Sequence, residues 1–100
     1  MWKILFTAKA ERDIKDQYKK GLLTEEDREV IATWIKQVQE FGPESLRRGV
    51  NFWYDHDLVD DWNGYRSSAF SYRGRIIYKV EDKKITVVVA KITTEHNYKK

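Results

Sequence analysis

The sequence predicts an α+β domain of two layers: an antiparallel sheet of about four strands with an N-terminal helical hairpin packed on one face. Three observations predict it. Residues 8–41 carry apolar side chains at a 3.6-residue period, in two stretches separated by Gly21-Leu22-Leu23. Residues 75–80 (RIIYKV) and 85–90 (ITVVVA) are instead apolar strand-like runs, joined by the charged turn Glu81-Asp82-Lys83-Lys84. At 100 residues the chain fits one domain, 1–100, so helices and strands must bury their apolar faces on each other.

Residues 2–6 read as a short strand. Thr7 can cap a helix over 8–20, on which Ala10, Ile14 and Tyr18 share one face. Lys19 and Lys20 suit the negative end of that helix, and Gly21 offers a left-handed stop. Thr24, followed by Glu25, Glu26 and Asp27, is the start signal of the second helix: a hydroxyl cap, acids in the first turn, and a carboxylate three residues on. Val30, Ile31, Trp34, Ile35, Val38 and Phe41 keep the helical period until Gly42-Pro43 ends it. Residues 42–61 hold a short turn at 44–48, the aromatic run Phe52-Trp53-Tyr54 and an acidic loop. Residues 65–70 form a polar, mixed strand. The run 85–90 is apolar enough for a central strand covered on both faces. Pairing Val80 with Ile85 sets Arg75 opposite Ala90. Lys91 and the tail then leave the sheet at the end that carries Arg73 and Arg75. One sheet face packs on the helices, and the other is left to solvent or a ligand.

Composition removes several function classes. With no cysteine and one methionine, there is no disulfide framework and no thiolate metal site. Glycine-rich phosphate loops, a G-x-S-x-G elbow and paired histidines at helical spacing are absent from the sequence. No cofactor and no metal are expected. Asp55-His56-Asp57 reads as a solvated loop rather than a cation site, with an arginine partner for Asp57 as the alternative. No apolar stretch reaches the ~20 residues of a membrane span, and MWKILFT is too short for a signal-peptide core. The expectation is a soluble cytoplasmic protein. Charge is uneven. From position 62 onward there are nine Lys or Arg against three acids, and before it ten against thirteen. The basic half suits a nucleic acid or an acidic protein partner.

That basic half interleaves Arg66, Arg73 and Arg75 with Tyr65, Tyr72 and Tyr78. Guanidinium groups hold phosphate in a bidentate fork, and phenol rings stack on unpaired bases, so an exposed sheet face of this composition suits RNA. The plainer reading is an exposed strand kept from aggregating by its arginines. Past residue 90 the chain runs out into Lys91, Glu95, His96, Tyr98 and Lys99. A tail folded back over that end of the sheet would bring an imidazole and a phenol beside the guanidinium of Arg75. RNA cleavage without a metal needs such a set. A base takes the 2′-hydroxyl proton, a cation holds the phosphorane, and an acid protonates the 5′-oxygen.

The segments W-N-G-Y-R-S-S (62–68), R-G-R-I-I-Y-K-V (73–80), I-T-V-V-V-A (85–90) and H-x-Y (96–98), with D-H-D-L-V-D-D ahead of them, resemble the RelE/ParE superfamily of bacterial toxins, and residues 55–66 its YafQ-like branch. The resemblance implies a toxin of a type II toxin–antitoxin pair that cuts mRNA on the ribosome without a metal. It also implies a cognate antitoxin bound as a hetero-oligomer. By the same resemblance Arg75 stabilises the transition-state phosphate, and His96 takes the place of the C-terminal catalytic histidine. Tyr98 resembles the near-terminal tyrosine of RelE-like members, and His56 falls where YafQ-like members have a histidine before the sheet. Arg66 and Arg73 would grip backbone phosphates, with Lys91, Tyr72 and Lys99 completing the RNA-binding set. Two departures stand out. Ser67-Ser68-Ala69 replaces a histidine-bearing strand, and Thr94-Glu95 replaces a basic pair, so acid and base are not assigned separately and Glu95 is a further candidate base. The alternatives are a ParE-like inhibitor of DNA gyrase without nuclease activity, which generally lacks the tail histidine, and a degenerate member that only binds antitoxin.

Overall fold

The computed structural model describes residues 2–48, 53–81 and 86–94. Its elements run β1 (Lys3–Phe6), α1 (Ala8–Lys19), α2 (Glu25–Phe41), a 3₁₀ turn (Pro43–Arg47), β2 (His56–Asp57), a second 3₁₀ turn (Asp60–Trp62), β3 (Arg66–Ala69), β4 (Arg75–Glu81) and β5 (Thr86–Thr93). The helix starts follow their local signals. Thr7 Oγ1 accepts from the Ala10 amide at 3.0 Å. Thr24 and Asp27 form a reciprocal capping box, with both bonds at 3.0 Å. Gly21 takes the left-handed conformation that stops α1, at φ 77°.

The sheet has five strands in the order β1-β5-β4-β3-β2. The pairs β2–β3, β3–β4 and β4–β5 are antiparallel, as expected of a meander, but β1 joins β5 in parallel. The reason is the helical hairpin. It carries the chain across one face, so β1 lies beside the last strand rather than its sequence neighbour. The buried core fills that face: Ile31, Trp34 and Val38 from α2 meet Ile76 and Tyr78 of β4 and Val89 and Ile92 of β5. The Trp34 and Tyr78 rings pack edge to face at 5.2 Å. Val30 and Phe41, expected on the buried stripe, lie at its margins and are exposed. Tyr18, at the end of the α1 stripe, is exposed too, under the Arg28 guanidinium at 4.6 Å.

The β4–β5 register corrects the sequence reading. Val80 pairs with Val87 and Tyr78 with Val89; a bulge then intervenes, and Ile77 pairs with Lys91 and Arg75 with Thr93. Arg75 therefore stands opposite Thr93, not Ala90. Pairing closes at Glu81 with Thr86, one residue further along each strand than Val80 with Ile85, and Ala90 is the extra residue of the bulge. β1 ends at Phe6, opposite Val89. Beyond it α1 takes over the exposed strand edge. Asp13 Oδ2 accepts from the Ile92 amide at 3.1 Å, and Gln17 Nε2 donates to the Ile92 carbonyl at 2.8 Å. Two side chains one helical turn apart thus satisfy both backbone groups of an edge residue.

Gly42, which ends α2, has φ 86° and ψ 166°, a region reserved for glycine, and a Cβ there would sit 2.6 Å from Trp2 Nε1. Gly42→Ala should lower stability by about 1–3 kcal/mol from backbone strain, with further loss as Trp2 is displaced. Urea unfolding monitored by tryptophan fluorescence measures it, and an unchanged midpoint would contradict this account.

Candidate nucleic-acid interface

The edge of the sheet that carries β2 and β3 is organised around one carboxylate. The Asp55 side chain is 0% exposed and lies 2.8 Å from Arg47 Nε and 3.2 Å from Arg66 Nη2. Ser68 Oγ and Tyr78 Oη each donate to Asp55 Oδ2 at 2.5 Å. Trp34 Nε1 donates to Ser68 Oγ at 2.9 Å, which ties α2 into the same network. A carboxylate this deep is tolerable only because two guanidinium groups and two hydroxyls surround it. Burial foremost, and the adjacent Asp55 charge, push the Tyr78 phenol well above its ordinary range.

Arg66 departs from its expected role. Residue 66 pairs with Tyr78 and so faces the helices. Its side chain is 11% exposed and is engaged by Asp55, by Glu44 at 3.0 Å and by the Pro43 carbonyl at 3.1 Å. It holds the fold together instead of gripping a surface phosphate. Asp57 has the arginine partner that the sequence allowed: Arg47 Nη2 donates to it at 2.7 Å and holds its carboxyl below the usual carboxylate range.

The opposite face of the sheet is set by register, because directly paired residues share a face. One row runs His56, Ser67, Ile77, Lys91, and the next runs Ala69, Arg75, Thr93. Lys79 follows on the same face, with its ammonium 5.5 Å from the Tyr65 ring centre and 3.1 Å from Glu81. The structure thus brings His56, Arg75 and Lys91 to one face, away from the helices. His56 is exposed, and its Nδ1 lies 2.9 Å from the Tyr54 carbonyl. A carbonyl only accepts, so the neutral ring carries its proton on Nδ1 and keeps Nε2 as the basic nitrogen. Arg75 lies two strand spacings across from His56, about 10 Å, and two residues further along, and the Ser67 and Ile77 side chains in the His56 row are fully buried.

Arg75 is half-buried and does more than project from a strand. Its Nη1 donates to the carbonyls of Ser71, Tyr72 and Gly74 at 3.2, 3.2 and 2.8 Å. Arg73 lies outside both strands, exposed in the β3–β4 connection. Gly74 is required there, since a Cβ would meet Phe70 at 2.4 Å. Tyr72 stands at the tip of this connection, 91% exposed. Across from it Tyr54 holds a left-handed backbone at φ 51°, uncommon for a bulky residue and costing of order 1–3 kcal/mol. Glu95, His96, Tyr98 and Lys99 lie outside the described residues. The chain approaches them beside Arg75, where Thr93 is paired.

Comparison with known proteins bears on this arrangement. No protein-family model matches the sequence, and no curated protein does. Solved structures do match. A copper-bound mutant toxin from Helicobacter pylori gives a TM-score of 0.73 at 15% identity, over 96% of this chain and 96% of that one. A YoeB/ParE toxin from Agrobacterium tumefaciens gives 0.70 at 17% identity, over 96% of this chain and 99% of its own. The E. coli DinJ–YafQ toxin–antitoxin complex gives 0.66 at 16% identity, over 91% and 89%. This chain has the RelE/ParE toxin fold. At these identities the likeness is one of architecture, reached across nearly the whole length of both partners.

Sequence reasoning missed Asp55 as the organising residue, since its partners lie 8 to 23 positions away. Asp55→Asn should destabilise the fold by about 3–5 kcal/mol, the range for breaking a buried ion pair from one side. Asp57→Asn, at a site 73% exposed, should cost under about 1 kcal/mol. Equal losses in chemical denaturation would refute the distinction. Tyr78 gives a pH test. Its folded pKa is raised, so its contribution is complete below the ordinary phenol value of about 10 and is lost as pH rises above it. Alkaline titration of tyrosinate absorbance should therefore show one phenol ionising only as the fold opens, and Tyr78→Phe should abolish that late step.

Proposed function

We propose that this chain is the toxin of a type II toxin–antitoxin pair and a ribosome-dependent mRNA endonuclease of the RelE/ParE superfamily. The observation that carries the reading is the sheet face turned away from the helices, which bears His56, Arg75 and Lys91 on three of its strands. The fold match to toxins across nearly the full chain supports it. The DinJ–YafQ toxin–antitoxin complex supports a cognate antitoxin as partner. Among the described residues no helix is long and apolar enough to cross a membrane, and the cytoplasm, where ribosomes work, is the proposed location.

The chemistry is transesterification followed by release. His56 Nε2 takes the proton from the ribose 2′-hydroxyl, and the 2′-oxygen attacks the adjacent phosphorus in line. The charge that builds on the phosphorane is held by Arg75, with Lys91 neutralising the neighbouring backbone. The bond to the 5′-oxygen breaks as His96 gives that oxygen a proton, leaving a 2′,3′-cyclic phosphate and a free 5′-hydroxyl. Tyr98 and Glu95 lie within the same tail, with Glu95 the reserve base. Tyr72, Arg73 and Lys99 add contacts to the strand. No step calls on a metal or cofactor.

The test uses purified ribosomes programmed with a defined mRNA. Cleavage in the decoding site, with cyclic-phosphate 3′ ends, is expected. His56→Ala should cut roughly 10²–10⁴-fold more slowly, the usual loss for one acid–base group, with unchanged melting because the ring is exposed. Intact mRNA together with failing DNA supercoiling would replace this reading with gyrase inhibition. Intact mRNA and intact supercoiling, with antitoxin still bound, would leave a degenerate binder.

A further inference from the structure

A cleft of about 500 Å³ opens at the end of the sheet, between the chain entering β2 and the β3–β4 connection. Trp53 and Phe70 form its floor, Val30 of α2 closes one side, and Tyr54, Tyr72 and Arg75 surround its mouth. From this geometry we propose that the cleft is a stacking site for a single unpaired nucleobase, held between the Tyr54 and Tyr72 rings while Arg75 faces the sugar–phosphate of the same nucleotide. The proposal rests on the nuclease reading for its RNA, and it adds a base subsite that adjoins the cutting centre through Arg75.

Three observations carry it. First, the two mouth rings are turned to water, at 75% and 91% exposure, by backbone that is itself firmly built. Tyr54 has its left-handed φ between two fixed neighbours: the Trp53 carbonyl accepts from the Ala69 amide at 2.6 Å, and Asp55 is buried in its network. Tyr72 rides on a connection tied by the Phe70 amide to the Gly74 carbonyl at 3.1 Å and by the Gly74 amide to Ser71 Oγ at 2.8 Å. An exposed aromatic ring held on strained, well-anchored backbone is a pattern that ligand contacts share. Second, Arg75 joins the cleft to the catalytic face. Its Nη1 is saturated by three carbonyls, which orients the guanidinium plane, and its Nε and Nη2 have no bonded partner among the described residues. A planar cation fixed beside flat rings complements a base with its phosphate better than it does an aliphatic side chain. Third, the Tyr54 carbonyl that accepts from His56 Nδ1 belongs to the same residue whose ring lines the cleft. Seating a base against Tyr54 and orienting the His56 imidazole are thereby coupled through one peptide unit.

The probe is a short single-stranded oligoribonucleotide, 2′-O-methylated throughout so that it cannot be cut, with 2-aminopurine at one position. Binding to the full-length protein at low salt should quench the 2-aminopurine as it stacks. Tyr54→Ala and Tyr72→Ala should each weaken binding about tenfold, within the range for one base–aromatic stack, and should relieve the quench. The Phe variants should behave as wild type, and Tyr72→Leu should resemble Ala, because a flat ring is required. Wild-type binding by the Ala variants, or full rescue by Leu, overturns the cleft. So does loss of antitoxin binding with oligonucleotide binding unchanged, since the site then belongs to a peptide. Ribosomal cleavage is scored separately. Stacking without cleavage sinks the nuclease reading alone, and cleavage without stacking sinks the cleft alone.

Discussion

The burial of one negative charge governs this molecule. Asp55 sits where α2, the 3₁₀ turn after it, β3 and β4 converge, and each sends it a donor or a partner of a donor. An unpaired carboxylate at such a position would not be tolerated, so the four elements can approach only in the one arrangement that surrounds it. Hydrophobic contact between Trp34 and the sheet would permit several relative positions of helix and strands. The bond chain from Trp34 through Ser68 to Asp55 selects one of them.

That selection propagates outward. With Asp55 drawn inside, its neighbours are turned the other way: Tyr54 toward solvent and His56 onto the helix-free face. A two-residue β2 is too short to be stable through its own ladder. It is held because Asp57 is pinned by Arg47 and paired with Arg66. Glu44, Arg47, Asp55, Asp57 and Arg66 are thus engaged with one another, while Arg73 and Arg75 lie at the β3–β4 end of the sheet outside that network. The uneven charge along the sequence, acidic before and basic after, becomes in space a neutralised edge beside a basic face.

The other end of the sheet is fixed by different means. β5 outruns β1, and a bare edge beyond Phe6 would invite further pairing. Asp13 and Gln17 fill that edge, and the bulge at Ala90 turns the strand so that it ends alongside Arg75. Placing the strand terminus is therefore a joint property of helix α1 and the bulge. Together they decide where the described strand ends.

Local signals determined much of this protein. Thr7, Thr24, Gly21 and Gly42 bound the helices because caps and left-handed stops act within one turn of chain, and the two apolar runs on either side of residues 81–84 fold as paired strands because alternation and turn chemistry are short-range. Arg75, His56 and Tyr72 were legible as candidates from residue type and from the family resemblance. Only the tertiary structure decided which way they face. Arg66 and Arg75 are alike in sequence, but Arg66 is buried against Asp55 and Arg75 opens onto the cleft, because a two-residue period assigns sides only once the register is known. Register is set by contacts tens of residues apart: a bulge, a parallel first strand, and a buried carboxylate whose partners no window of sequence brings together.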